Sequence, residues 1–453
     1  MDSEFRFFDD DPIANAPAYS SGINERIELY KGSATILPMD HHWVRVSGSE
    51  QYSAQGSIFL DWFPQPHIGF WFDIDSRDSV GLRRVEIATE IGTIRGSVTR
   101  GTYLKRDKKA SVFSKFDRCW EISGSIESAF IGNQESVPSV LFHLPNFTSY
   151  SGEHVTNAKA NAQWPGRLHI CWDQWDLVID AVEDSDDLSK GLGRSGGYCI
   201  TNIGKLTKND RSLISFSEIL ALVEPLRYIL AFIRGAWCSP VILIGEGKEY
   251  RWEYWDTQEI SPWLGRSGWF FHRVDAQNLS KMFETFFQLW DNPAWQGVIK
   301  DAIRWYVEAN TNRNHHISIV NAQVGLELLA WAYLVEYGAI ISEKSFRSLD
   351  ASDRIRLLLH EGRIGFGFRE ELPNLGRIFT DKRLTGPDAI VQLRNSAVHP
   401  NIRDKIARAS NDAKLEARVL SIHYLELAML YIFGYKGVYW SRISGQQIVP
   451  WDV

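Results

Sequence analysis

The 453 residues are too many for one core and suggest two or three domains. With 44% hydrophobic and 23% charged residues the composition is that of an ordinary soluble globular protein. A net charge of −7 excludes a molecule that grips polyanions nonspecifically over its whole surface.

The opening, MDSEFRFFDDDP, is acidic where a signal peptide is basic and then apolar, and residues 1–24 are expected as a flexible lead-in. Residues 25–185 read as a β-rich domain, sandwich- or barrel-like. Short aromatic and β-branched runs at 57–63, 67–75, 83–89 and 175–182 are separated mostly by Gly, Pro, Asn or Asp. An acidic stretch, DAVEDSDDLSKG (180–191), punctuates the chain. GLGRSG (191–196) then fits G-x-G-x-x-G, but a β-like run follows it, so a flexible loop is expected there and no dinucleotide site.

Residues 186–290 form a mixed α/β middle segment. SFSEILALVEPLRYILAFIRG (215–235) predicts a helix. Ser215 and Glu218 are spaced as a capping box, an apolar stripe runs from Ile219 to Ile233, Pro225 should kink it, and Gly235 should stop it. β-like runs follow at 241–247 and 250–256.

Residues 291–453 read as a bundle of about five helices: 297–310, 316–337, 352–360, 388–398, and a last one from Asn411, taken as its N-cap, to Phe433. The apolar stretch at 419–433 contains His423 and Glu426 and is too short to span a bilayer. The expected class is therefore α+β multidomain, without membrane association.

The four cysteines, Cys119, Cys171, Cys199 and Cys238, lack any C-x-x-C pair, so neither a zinc signature nor a disulfide framework is expected, and a reducing cytoplasm is. Histidine pairs at 41–42 and 315–316 read as surface residues, and no cofactor or metal is expected. The 18 tryptophans, most of them before residue 310, read first as core and seam fillers, with base-stacking platforms as the alternative.

One stretch carries chemistry: LRNSAVHP (393–400). Ile390, Leu393 and Ala397 face the core at helical spacing, and Pro400 ends the helix near Val398. His399 then sits at the negative end of the helix dipole, which favours its protonated form and suits a group that moves protons. Arg394 cannot titrate but can hold a phosphate through two parallel hydrogen bonds. Together they suffice for attack of an RNA 2′-hydroxyl on its neighbouring phosphate. A second Arg-x4-His pair, Arg418 and His423, lies inside a continuous helix and reads as a surface arginine and a packed histidine.

RNSAVHP resembles the Arg-x4–6-His motif of the HEPN superfamily. GGYCITNIGKL (196–206), AIRWYVEAN (302–310), NAQVGLELLAWAYL (321–334), LELAMLYIFGYKGVYWSRI (425–443) and VPW (449–451) are similar to its ApeA-like antiphage subgroup. The resemblance spans roughly residues 190–453. It implies a helical bundle that dimerises, joins two motifs in one composite site, and cleaves RNA without metal to leave a 2′,3′-cyclic phosphate. By the same resemblance Arg394 stabilises the phosphorane, His399 transfers protons, and Asn395 bonds the phosphate or orients the histidine. Glu327 matches an acidic position on the second long helix, with either Arg394 or a salt bridge within the bundle as its partner. The implied setting is bacterial antiphage defence on tRNA or other cellular RNA, with the β-rich front part holding the enzyme inactive until a phage-derived trigger arrives. A catalytically silent module that binds nucleotide, RNA or a partner protein is the alternative.

Overall fold

A computed structural model describes residues 19, 22–39, 51–74, 82–105, 118–157, 162–247, 251–265, 267–270, 276–368, 370–381, 383–398 and 409–452. The β-rich front part is a closed antiparallel barrel of six strands in the order β1-β2-β3-β6-β5-β4. They are β1 (Ile27–Pro38), β2 (Tyr52–Asp61), β3 (His67–Ile74), β4 (Arg84–Thr89), β5 (Gly92–Lys105) and β6 (Arg118–Ile126). Pairing of β1 with β4 over Ala34–Pro38 closes the ring, so every barrel strand has two neighbours. The interior is filled by Ile58, Leu60, Phe70, Phe72, Ile87 and their neighbours. Phe70 is admitted because Gly96 and Gly124 face it, where a Cβ would come within 2.7 Å of its ring.

The barrel ends at residue 126. The strands after it join those of the middle segment in one eight-stranded antiparallel sheet, in the order β7-β14-β13-β8-β12-β11-β10-β9. Its members are β7 (Ser128–Gly132), β8 (Ser139–Pro145), β9 (Glu153–Asn157), β10 (Ala162–Trp172), β11 (Trp175–Ala181), β12 (Ile200–Lys208), β13 (Val241–Glu246) and β14 (Arg251–Asp256). The β pattern of residues 25–185 thus divides between two sheets, which sequence order does not announce.

Strand alternation makes the sheet two-sided. Leu141, Val241, Ile244 and Trp255 join the barrel core, whereas Val140, Phe142, Leu243 and Trp252 join the helical core. The sheet lies between barrel and helices. Tryptophan fills these layers, with Trp62, Trp252, Trp255 and Trp269 among the largest fully buried side chains. Rings buried in this way cannot serve as base-stacking platforms.

Two helices interrupt the sheet. α1 (Ser185–Ser195) occupies the expected GLGRSG loop. Asp186 and Asp187 in its first turn and Arg194 in its last complement the helix dipole and offset the low propensity of Gly191 and Gly193. α2 (Phe216–Arg234) matches the expectation at both ends, with a reciprocal capping box between Ser215 and Glu218 and a left-handed Gly235, and it continues through Pro225.

The helical region begins earlier than expected, at α3 (Ala276–Trp290), whose Leu279, Phe283 and Phe286 are buried. Then come α4 (Pro293–Thr311), α5 (His315–Trp331, continuing as a π-helical segment to Tyr337), α6 (Glu343–Ser348) and α7 (Ala351–Glu361). α8 (Pro373–Ile378), α9 (Gly386–Val398) and α10 (Asn411–Ile432) follow, with a closing hairpin of β15 (Val438–Ser441) and β16 (Gly445–Ile448). The N-cap of α10 is Ser410, not Asn411: its Oγ accepts the Ala413 N–H at 3.2 Å. Among the described residues, His315–Tyr337 alone is long and apolar enough to cross a membrane, and 61% of its apolar window is buried, as in a core helix.

Candidate functional site at the end of helix α9

α9 packs against α5, α7 and α10. Its start is held from two sides. Asp388 accepts bonds from the Thr385 N–H at 2.8 Å and the Thr385 hydroxyl at 2.7 Å, and Arg356 of α7 donates to the same carboxylate at 2.8 Å. Burial works against the Asp388 charge, but the Thr385 bonds and Arg356 outweigh it and hold the carboxyl below its ordinary pKa. Gly386 lets the chain pass Tyr424, whose hydroxyl lies 2.2 Å from where a Cβ would stand. Ile390 and Leu393 are fully buried, as their spacing predicted, and Ala389 is buried beside them.

Arg394 follows on the flank of that face and is half-buried. Its Nη1 donates to Asn395 Oδ1 at 3.1 Å. Its Nε is buried and has no hydrogen-bond partner among the described residues. A buried donor left open costs on the order of 1–3 kcal/mol, so this guanidinium is suited to an incoming acceptor. His399 and Pro400 lie outside the described residues, as does the Ala397 side chain.

Glu327 is not joined to Arg394 by any described bond. Its carboxylate accepts from Gln323 on its own helix at 2.9 Å and from Arg354 of α7 at 3.3 Å. Of the two partners expected for it, the intrabundle salt bridge is the one found. Sequence could not choose between them, because the register of α7 against α5 decides.

Two further groups of polar residues emerge. In the core, Glu426 is 1% exposed and takes both Nε and Nη2 of Arg442 at 2.7 Å, along with the Tyr306 hydroxyl at 2.6 Å. Burial and the Glu426 charge push the Tyr306 hydroxyl well above its ordinary range. Burial opposes the Arg442 charge, yet Glu426 raises its pKa overall.

The second group is basic. His315 and His316 at the start of α5 lie close enough to Lys414 of α10 to feel its charge, and His315 also feels Arg418. Burial first, and these cations second, push both imidazoles below their ordinary pKa. Both Nδ1 atoms and Arg418 Nε are buried without a partner among the described residues, although Arg418 Nη2 donates to Asn310 O at 2.9 Å. The HH pair is therefore half-buried rather than superficial, and Arg418 belongs to this cluster while His423 is packed at 1% exposure. Only a fold that sets the start of α5 beside α10 brings these residues together.

Comparison with known proteins follows the same layers. Residues 132–266, which hold α1, α2 and the sheet apart from β7, match the model of the YopA central domain, and residues 292–451 match that of the YopA C-terminal domain. The chain is 25% identical over 440 residues to the "SPbeta prophage-derived uncharacterized protein YopA" of Bacillus subtilis (strain 168), covering 95% of this chain and 96% of that one. No solved structure matches.

Proposed function

We propose that this protein is a metal-independent endoribonuclease of HEPN type, with its site at the end of α9 in a bundle of α4, α5, α7, α9 and α10. The observation that carries the reading is the Arg394 guanidinium, steadied by Asn395 and open at its buried Nε. A phosphate oxygen is the acceptor that completes such a group, and the negative charge of a phosphorane strengthens the bond in the transition state. His399, five residues on, transfers the protons: one from the attacking 2′-hydroxyl, one to the leaving 5′-oxygen. Asn395 orients the guanidinium. Glu327 acts through Arg354, fixing α7 against α5, and is a positioning residue.

The substrate is tRNA or other cellular RNA, and two copies of the chain join their motifs in a homodimer in the cytoplasm. A role in antiphage defence, with the barrel and sheet restraining the site until a phage-derived trigger arrives, belongs to the same proposal and rests on the sequence resemblance alone. The cations Lys414 and Arg418, beside the neutral imidazoles of His315 and His316, favour a second reading, a silent RNA- or nucleotide-binding module, because they supply positive charge without any need for cleavage.

Purified protein, Arg394→Ala and His399→Ala are incubated with total bacterial tRNA in excess EDTA, and the fragment ends are mapped. Cyclic-phosphate ends from the wild type alone are expected. Equal cleavage by all three overturns the assignment. RNA binding by all three without cleavage selects the silent module.

A further inference from the structure

The β10–β11 hairpin carries three donor atoms that the α9 site does not use. His169 and Cys171 are two apart on β10 and so share a face, and Asp176 on β11 stands directly across from Cys171. His169 Nε2 lies 2.6 Å from Asp176 Oδ1 and 3.4 Å from Cys171 Sγ, and the sulfur lies 3.9 Å from the same carboxylate oxygen. The three atoms converge within 4.8 Å of one another. Cys171 is exposed, while the His169 and Asp176 side chains are only 18% and 13% accessible. The neighbouring strand β9 pairs with β10 only as far as Arg167, and beyond that point Ser280 of α3 takes up the Cys171 N–H at 3.0 Å. The ligand face is thus fixed on a rigid hairpin with its thiol side open.

Two chemistries use a thiol, an imidazole and a carboxylate. A nucleophilic triad needs the two ring nitrogens to divide the work, with one facing sulfur and the other facing the carboxylate. Here sulfur and carboxylate face the same nitrogen. That arrangement suits a cation at the common focus. Zinc bonds of about 2.0–2.3 Å in a tetrahedron place donor atoms roughly 3.3–3.8 Å apart. The His169–Cys171 distance already fits, the Cys171–Asp176 distance has to close by about 0.1 Å, and the His169–Asp176 contact has to open by about 0.7 Å on that geometry.

We propose that His169, Cys171 and Asp176 form a binding site for a thiophilic divalent cation, zinc above all, with the fourth position open to water or to an exogenous ligand. The thiolate selects against magnesium and calcium, which prefer all-oxygen shells. The pattern H-x-C-x4-D escapes any search for paired cysteines, because its third ligand arrives by strand pairing.

Tag-free, metal-stripped full-length protein titrated with cobalt(II) tests this. One equivalent should give a thiolate-to-cobalt charge-transfer band, displaced by zinc and not by magnesium, and the band should vanish in Cys171→Ser. Asp176→Asn keeps the hairpin's shape and should weaken cobalt binding by about tenfold or more. In parallel, one equivalent of zinc should slow iodoacetamide labelling of Cys171, read by peptide mass, by about tenfold in the wild type and little in Asp176→Asn. Absence of the charge-transfer band, its persistence in Cys171→Ser, or labelling unchanged by zinc overturns the site.

Discussion

Two arginines of the helical region differ in how completely they are used. Arg442 spends its Nε and Nη2 on Glu426, which also holds Tyr306; Glu426 and Tyr306 are buried and the Arg442 side chain is only 18% exposed. Arg394 has one described bond, to its neighbour Asn395, and a buried Nε with no described partner. A saturated buried charge offers nothing to a ligand; its work is to fix the closing hairpin against α10 and α4. An open one costs stability wherever it occurs and is tolerated where something binds. The comparison sets a structural centre against the centre proposed for chemistry, and it can be broken at either end.

The largest effect is expected at the saturated centre. Glu426→Ala leaves the largely enclosed Arg442 charge and the buried Tyr306 hydroxyl without their carboxylate, and the loss should be about 3 kcal/mol, read from urea denaturation followed by tryptophan fluorescence. A loss below about 1 kcal/mol, the range of exposed pairs, would show that the centre does not hold the bundle.

Next in size is a titration in the sheet. His143 is fully buried on β8, accepts the Tyr19 N–H on Nε2 at 3.1 Å, and meets Ile242 O through Nδ1 at 3.0 Å. Burial, acting most, lowers its pKa to about 4. The folded state therefore disfavours the proton that the unfolded chain accepts near 6.5. The stability this group contributes is complete above about pH 6.5 and is lost as pH falls towards 4, a change of about 3 kcal/mol. Urea midpoints measured from pH 7.5 to 4.5 should show that slope, and His143→Asn should flatten it. An unchanged slope would put the acid sensitivity elsewhere.

At the open centre the ordering reverses, with a small effect on folding and a large one on function. Arg394→Ala and Arg394→Lys should each change stability by less than about 1 kcal/mol. RNA cleavage should fall by about 100-fold or more in both, because lysine keeps the charge and loses the two-pronged grip. Cleavage by Arg394→Lys close to wild type would reduce the residue to a point charge.

Local signals were legible in the sequence and pairings across distance were not. The cap, stripe and stop of α2 sit within 21 consecutive residues and appear as read. α1 was obscured because its glycines suggest a loop, while the acidic first turn that favours a helix resembles a linker. α3 was missed although its Phe283, Phe286 and Phe287 follow helical spacing, because neighbouring aromatic runs are strands. The division of strands between barrel and sheet depends on β7 and β8 pairing with β14 and β13, about a hundred residues onward. For the same reason the Glu327–Arg354 bridge, the basic cluster at His315 and the His169–Cys171–Asp176 group needed coordinates. Ile390, Leu393 and Arg394 were legible because they belong to one helix.

The smallest effect separates local capping from the α9 chemistry. Ser215 accepts the Glu218 N–H, and Glu218 returns to the Ser215 N–H at 2.8 Å. Lys208 of β12 binds the same carboxylate at 2.6 Å, and this bond first, the Ser215 bonds second, lowers the Glu218 pKa to about 2. Ser215→Ala removes one half of the box and leaves the Lys208 bond, so the loss should be about 1 kcal/mol. α2 shares one continuous core with the bundle, so its fraying would reach Arg394 only if the open guanidinium were positioned by global tightness. If α9 is instead held locally, by Asp388, Thr385 and Arg356, Ser215→Ala should lower the urea midpoint and leave tRNA cleavage unchanged. A parallel fall in cleavage would tie the site to the whole core and undo the separation of the two centres.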